Sequence, residues 1–155
     1  MEGFNIQRVE KITGCSVVNL TGIENKIGTA YNIFSRLAEK NINVIIILQS
    51  VNAISTCANI GFVINEADAD ATEEIIKNSD LGGRLEIIKE VSLLSVSGVG
   101  LYHNPDISAK IFEALYDRGI DIHLISRGEM KILAAIDSDR IDEAYKAVSK
   151  GLESL

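Results

Sequence analysis

The sequence predicts an α+β fold made of two similar βαββαβ units, and three observations support this prediction. Residues 30–47 and 108–125 share one pattern of apolar and charged positions, 78 residues apart. The order of predicted elements is the same in both copies. The chain has 155 residues, of which 46% are hydrophobic and 24% charged, a composition typical of one ordinary folded domain or two small ones. Because solenoids need at least about three repeats, two copies indicate a pair of packed domains.

The first copy contains all six elements of the unit. Runs rich in β-branched residues predict its strands, and apolar residues at helical spacing predict its helices. In order, these are a strand over 17–22, a helix over 28–40, strands over 42–49 and 56–64, a helix from Asp70, and a strand over 84–88. The near-continuous apolar run at 42–49 favours a central or doubly covered strand. Asp70 and Glu73 resemble a capping box.

The second copy repeats this order but ends before its sixth element. It comprises a strand over 91–98, a helix over 105–118, strands over 120–126 and 130–136, and a helix over 139–150. Asn104 is the expected N-cap of the first of these helices, Pro105 its first residue, and Gly119 its stop. The last strand of this unit must therefore come from elsewhere.

The N-terminal segment Gly3–Ile12 is the candidate for this strand. Phe4, Ile6 and Val9 indicate a partly buried extended segment, and Thr13-Gly14 predicts a turn after it. An unpaired sheet edge is a hazard that proteins tend to cover, so we expect this segment to complete the sheet of the second copy. The first domain, 15–88, would then be inserted in a second domain formed by 1–14 plus 89–155, with the two termini close together.

Composition excludes several classes of function. The net charge of −7 argues against a nucleic-acid groove and against binding to an anionic membrane surface. The longest apolar run, 42–48, is too short to span a bilayer, and Met1–Glu10 does not resemble a signal peptide. We therefore expect a cytoplasmic protein in which Cys15 and Cys57 are reduced structural thiols.

Two segments carry a resemblance to a known family. LTGIENKIGTAYNIFSRLAEKNINVIIILQSVN and VSLLSVSGVGLYHNPDISAKIFEALYDRGIDIHLISRGEMKILAAI closely resemble the tandem ACT domains at the C-terminus of aspartokinases. The second segment is the more diagnostic, with its glycine-rich strand end, His-x-Pro, IFEAL helix and Glu-x-Lys-Ile strand. The resemblance covers about residues 15–152.

The resemblance implies both a fold and a function. Each unit would be a ferredoxin-like ACT domain, an antiparallel sheet with helices on one face. The pair would bind a pathway end product, lysine or threonine, and lower kinase activity. The kinase lobe, with its Lys-x-Gly-Gly phosphate loop, has no counterpart in this sequence. The implied protein is a regulatory subunit or fragment without cofactor, which forms a homodimer through its ACT domains and whose partner is an aspartokinase catalytic domain or subunit.

The residues themselves indicate where an amino acid would bind. Its carboxylate suits the free amides and positive dipole at a helix N-terminus, and the loop from Asn25 to Gly28 leads into one. Alternatively, Gly28 only eases a tight start of the helix, and Lys26 is either a pocket cation or solvated. In the second copy Asp106 replaces Gly28 and would repel an anion, so we expect the pocket at the first copy.

The resemblance extends this site. Threonine-binding relatives typically have Asp-Lys-Pro-Gly-x-Ala in this loop, a Gln at the end of the next strand, and an Asn on the facing strand of the other ACT domain. Here Gln49 matches the Gln, while Asn25 and Asp121 exchange the usual Asp and Asn. Asp121, expected to come from a different chain, would hold the ammonium group, and otherwise is an ordinary exposed residue at a strand start. The predicted ligand-binding residues are Asn25, Lys26, Ile27, Gly28, Thr29, Ala30, Gln49, Asp121 and Ile122.

Two other functions stay open, an oligomerisation module without a ligand and an amino-acid sensor for another enzyme or transporter. No catalytic, metal or cofactor site is predicted. His103 and His123 have no cysteine or carboxylate at metal spacing, and Glu129 with Lys131 reads as a surface pair.

Overall fold

The computed structural model describes the backbone of residues 5–155 and the side chains from Arg8 onward. The chain divides into two compact units. One is the continuous unit, Gly14–Lys89, and the other is the split unit, made of Met1–Thr13 and Glu90–Leu155. The predicted burial of Phe4 and Ile6 lies outside the described residues and side chains.

The predicted α+β class and order of elements are confirmed. The strands are β1 (Asn5–Glu24), β2 (Val44–Val51), β3 (Cys57–Asn65), β4 (Arg84–Val99), β5 (Leu124–Arg127) and β6 (Lys131–Asp137). The helices are α1 (Thr29–Glu39), α2 (Ala69–Lys77), α3 (Asp106–Asp117) and α4 (Ile141–Leu152). Within the described part of the chain, no helix is long and apolar enough to cross a membrane.

The continuous unit has the strand order β2-β3-β1-β4, with β3 antiparallel to both β1 and β2. Alternate residues of β3 from Ala58 to Ile64 pack against α1 and α2, as expected for a sheet with its helices on one face. The rings of Phe34 on α1 and Phe62 on β3 meet edge to face, with 5.4 Å between their centroids. The buried core of this unit consists of Val18, Leu20, Ile23, Ile33, Leu37, Ile42, Ala58, Ile60, Phe62, Ile64, Ala69 and Ile76.

The split unit has the strand order β1-β4-β6-β5, with β6 antiparallel to both β4 and β5. The N-terminal part of β1 belongs to this unit, where the Arg8 carbonyl accepts a hydrogen bond from Ser97 Oγ on β4 at 3.4 Å. Helices α3 and α4 cover the core, which is rich in isoleucine and leucine. Its buried residues are Leu94, Val96, Leu101, Ile107, Ile111, Leu115, Ile120, Ile132, Ala134, Ile136, Ile141, Ala144, Val148 and Leu152.

Two predicted interruptions of the chain are absent, because β1 and β4 are each one long strand. The predicted turn at Thr13-Gly14 is wrong. Gly14 takes φ 70° inside β1, and Glu90 takes φ 56° inside β4, where two separate strands were predicted. A single left-handed residue within a strand kinks it as a bulge does and does not reverse its direction.

Two further sequence interpretations are wrong in the continuous unit. The apolar strand β2 lies at an edge of the described sheet rather than at its centre, and Ile47, Leu48 and Val51 are substantially exposed. The predicted capping box is absent, because α2 already begins at Ala69 and Asp70 lies in its first turn. The Asp70 carboxylate instead pairs with Lys89 at 3.2 Å.

Candidate functional site

The loop between β1 and α1 is held in a tight conformation by its own backbone. Gly28 has φ 92°, in the left-handed region where a side chain is strained. The amide of Thr29 donates to the Lys26 carbonyl at 3.2 Å, and Thr29 Oγ1 donates to the Glu24 carbonyl at 3.3 Å. The glycine is therefore required by the geometry of the loop, with or without a ligand.

The first turn of α1 presents amides without partners. The Asn32 amide bonds to the Gly28 carbonyl at 2.9 Å, but the described residues provide no acceptor for the amides of Ala30 and Tyr31. The turn contains no acidic residue, and no side chain caps it. Since unpaired amides and the positive end of the helix dipole favour an anion, this turn is suited to a carboxylate.

The charge next to this turn is already paired. Lys26 Nζ lies 2.7 Å from Glu24 Oε2. The hydrogen bond to Glu24 raises the pKa of Lys26. Lys26 is therefore a charged but paired cation at the rim of the loop. Ile27 is fully exposed beside it.

Gln49 lies near the end of β2 that is on the same side of the sheet's length as this loop, where the strands β1 and β2 both stop. Both β1 and β2 end here, because Glu24 lies opposite Cys57 and Val51 lies opposite Ala58 at the beginning of β3. Gln49 lies opposite Ile60. Residues paired across antiparallel strands share a face, and Ile60 belongs to the helix-covered core, so Gln49 lies on the same face as α1.

The remaining predicted site residues belong to the split unit. Asp121 is exposed and precedes β5, which begins at Leu124 and not at Ile120 as predicted. Ile122 is half-buried and packs against the core of its unit. Arg140 is close to Asp121. The pKa of Arg140 is raised mainly by its hydrogen bond with Glu143, with a smaller contribution from Asp121. The structure thus places residues 25–30 and Gln49 in the continuous unit, whereas Asp121 and Ile122 lie in the other unit.

Sequence reasoning missed two polar contacts in the split unit. His123 Nε2 lies 2.6 Å from Asp137 Oδ1. Arg127 donates to Ser108 Oγ and, at 2.8 Å, to the carbonyl of Leu101. The 78-residue offset pairs Arg127 with Gln49 and was the signal available for the second contact. Among the described residues, no cluster of His, Cys, Asp or Glu could hold a metal ion.

Comparison with known proteins adds a family to this geometry. The model of the ACT domain family matches residues 18–79 and 94–152. A curated aspartokinase from Bacillus sp. (strain MGA3) is 32% identical over 139 residues, which cover 88% of this chain and 34% of the relative. The chain thus spans about a third of the length of the curated relatives that it matches.

Solved structures match over nearly the whole chain. The regulatory subunit of aspartate kinase from Thermus flavus superposes with a TM-score of 0.86 at 25% identity, covering 95% of this chain and 98% of that one. A structure of aspartokinase alpha and beta subunits gives a TM-score of 0.85 at 26% identity, covering 96% and 99% of the two chains. The chain therefore belongs to the ACT domain family, and its two ACT domains form a regulatory module of the aspartokinase type.

Proposed function

We propose that this chain senses a free amino acid, lysine or threonine, and transmits its presence to an aspartokinase catalytic domain or subunit. The single observation that carries the proposal is the unpaired, uncapped first turn of α1, which begins beside Gly28 at the end of the sheet where both β1 and β2 stop. The regulatory subunit of aspartate kinase from Thermus flavus matches 95% of this chain and is itself covered to 98%, which supports a regulatory and non-catalytic role.

The proposed domains follow the compact units of the chain. One ACT domain is the continuous unit. The other is the split unit, in which the N-terminal part of β1 occupies the position of the last strand. The hydrogen bond between Ser97 Oγ and the Arg8 carbonyl supports this assignment, because it joins the N-terminal strand to β4 within the split unit.

In the proposed site, different groups of the protein bind the carboxylate, the side chain and the ammonium group of the amino acid. The amides of Ala30 and Tyr31 hold its carboxylate, because they lack other acceptors and lie at the positive end of α1. Gln49 contacts its side chain from the neighbouring strand. The exposed carboxylate of Asp121, from a second copy of the chain, holds its ammonium group. Asn25 and Lys26 form the rim of the site.

The first turn of α3 provides a natural contrast to this site. Asp106 places a carboxylate in that turn, and the Asp106 amide is already bonded to Asn104 Oδ1 at 3.0 Å. Both features oppose a bound anion, since one repels it and the other removes a donor. The difference between the two helix starts supports a site at α1.

The need for a second copy agrees with the surface of the continuous unit. Ile47, Leu48 and Val51 on the edge strand β2 are 52%, 40% and 52% exposed. An apolar edge strand readily pairs with another chain, and isologous pairing is the commonest way for a homodimer to cover such an edge. The same observation favours a second candidate function, an oligomerisation module that binds no ligand.

Isothermal titration calorimetry with each of the twenty amino acids tests the proposal. We expect lysine or threonine to bind, and Asp121→Ala to weaken that binding by at least about tenfold, because removal of a charged partner typically costs about 2–5 kcal/mol. Asp106→Ala, which removes a carboxylate from the other helix start, is the matched control and should change little.

Two results would reject the proposed site or function. If Asp121→Ala and Asp106→Ala both bind like the parent, Asp121 is not part of the site. If the parent binds none of the amino acids but sediments as a dimer at tens of micromolar, the oligomerisation module is the better description.

A further inference from the structure

The split unit contains a structural counterpart of the proposed amino-acid site. In the continuous unit Gln49 on β2 lies opposite Ile60, and in the split unit Arg127 on β5 lies opposite Ile132. The strand register therefore makes Arg127 the equivalent of Gln49, in agreement with their separation of 78 residues.

Arg127 is anchored to the segment that leads into α3. Its Nη1 donates to Ser108 Oγ in the first turn of the helix. Its Nη2 donates to the Leu101 carbonyl at 2.8 Å and to the Asn104 carbonyl at 3.3 Å. One planar guanidinium thus joins the end of β5 to three acceptors on both sides of the helix start, which a neutral glutamine amide could not do.

The residues proposed to bind an amino acid at the start of α1 differ from their counterparts at the start of α3. At the 78-residue offset Gly28 corresponds to Asp106 in the split unit, and Asp121 corresponds to Asn43 in the continuous unit, which a second copy of the chain would supply. The counterpart site therefore has an acidic residue where a carboxylate would bind and a neutral residue where an ammonium group would be held. Arg127 stands where Gln49 would face the ligand in the proposed site. Its Nη2 group donates to two backbone carbonyls.

What is left beside Arg127 is an almost entirely apolar space. A cavity of about 230 Å³ lies between α3 and β5 and is lined by Ser108, Ile111, Phe112, Ile125, Arg127 and Ile132. Its two polar lining residues, Ser108 and Arg127, are bonded to each other. A free amino acid placed there would leave its ammonium group without an acidic partner, which is unfavourable in an apolar environment.

We infer that Arg127 is a plug: its side chain, exposed on one side and held by these hydrogen bonds, occupies the split unit's counterpart of the amino-acid site, so that each chain binds one effector molecule and not two. This inference rests on the proposed function for the site in the continuous unit. It gives the repeated units different tasks, because one is open to a ligand and the other holds a side chain of its own in the same position.

Hydrogen exchange and binding stoichiometry test the plug on the intact chain. In Arg127→Gln, which copies Gln49, we expect the amides of 101–108 to exchange about three- to tenfold faster, because three hydrogen bonds to a charged donor are lost. Amides of 23–30 should not change. Arg127→Lys should give the same result, since one ammonium cannot reach all three acceptors. Arg84→Gln, at an exposed arginine of the continuous unit, is the control.

Titration with the bound amino acid should give one site per chain for the parent and for Arg127→Gln. A second, weaker site should appear in Arg127→Gln combined with Asp106→Gly. A parent that binds two molecules per chain, one of which is lost in Arg127→Gln, would overturn the plug and make Arg127 a ligand-binding residue. Unchanged exchange of 101–108 in both single variants would also overturn it. If the parent binds no amino acid, the proposed function is wrong, and the exchange measurement alone decides whether Arg127 holds this segment closed.

Discussion

Lys11 Nζ lies 2.8 Å from Asp142 Oδ1, although the two residues are 131 positions apart in the chain. Lys11 is on the N-terminal part of β1 and Asp142 is in the first turn of α4, and both belong to the split unit. The Lys11 ammonium also lies 5.1 Å from the centroid of the Tyr145 ring. The N-terminal strand is thus attached to the split unit in two ways, by its pairing in the sheet and by this charged contact with α4.

This pair predicts a pH dependence of stability. The hydrogen bond and charge of Lys11 lower the pKa of Asp142 below its ordinary value. A carboxyl with a lowered folded-state pKa stabilises the fold above its ordinary pKa, and this contribution is lost as the pH falls through the lowered value. Asp142→Asn should therefore unfold at lower urea concentration than the parent at pH 7, and the difference should shrink towards pH 3. Because both groups are exposed, we expect a small shift.

Urea unfolding at the two pH values measures this effect. Asp117→Asn is the control, since Asp117 forms no ion pair among the described residues. A deficit of Asp142→Asn that is the same at pH 3 and at pH 7 would show that the carboxylate charge is not its cause.

The conformation of Gly28 predicts a cost that is independent of any ligand. Gly28→Ala meets no atom within 4 Å of the new Cβ, but its backbone has φ +92°. The left-handed region costs a residue with a side chain about 1–2 kcal/mol, so we expect a loss of this size in the free energy of unfolding. Gly128→Ala is the matched control. Its Cβ would lie 3.6 Å from the Lys131 carbonyl, an ordinary contact, and its φ is outside the left-handed region.

Equal stabilities of the two alanine variants in a urea titration would show that the α1 loop relaxes to another conformation. That result would also weaken the proposed site, because the placement of the free amides depends on this loop.

Much of the fold could be predicted because it depends on local patterns and on the repeat. Apolar residues at helical spacing indicated α1 through Ile33 and Leu37, and the structure buries both. The offset of 78 residues indicated two equivalent units. The position of β2 at the edge of the sheet was harder to predict. An apolar run has the same sequence pattern whether the strand is covered by its own chain or by another one. The continuity of β1 was missed because Gly14 is a turn residue by composition, and it takes its left-handed conformation inside a strand only in the context of the sheet.

The candidate site was less predictable than the fold. The loop before α1 could be found from its sequence, because Gly28 and the following helix pattern are local. The ion pair between Lys26 and Glu24 depends on the path of the loop, so the sequence left the role of Lys26 open. Arg127 was overlooked because its acceptors are mostly backbone carbonyls, which have no signature in a sequence.

The two cysteines should differ in reactivity. Cys15 is fully buried, and burial raises the pKa of its thiol, so little reactive thiolate is present at neutral pH. Cys57, at the start of β3, is partly exposed. Labelling with iodoacetamide under native conditions should therefore modify Cys57 first, as shown by peptide mass spectrometry, while Cys15 reacts after addition of urea. Modification of both at equal rates in the native protein would contradict the burial of Cys15.

The last prediction compares two phenylalanines that occupy equivalent positions in the two units. Phe34 packs edge to face on the fully buried Phe62. Phe112 lies 78 residues further along and is 48% exposed. The strand register makes Ala134 the counterpart of Phe62, since Ile47 pairs with Phe62 and Ile125 pairs with Ala134. Phe112 therefore has no ring at that position to pack on. The missing ring leaves Phe112 beside the cavity next to Arg127.

Phe62→Ala should therefore lower the free energy of unfolding by about 3–5 kcal/mol, the usual cost of a large cavity in a core. Phe112→Ala should cost only about 1 kcal/mol, because half of its ring is already in water. Circular dichroism during urea unfolding measures both variants, and comparison within one chain removes differences in conditions. Similar costs for the two variants would mean that the Phe112 ring is buried in solution, for example by a second copy of the chain, and sedimentation of Phe112→Ala would then show weaker association than the parent.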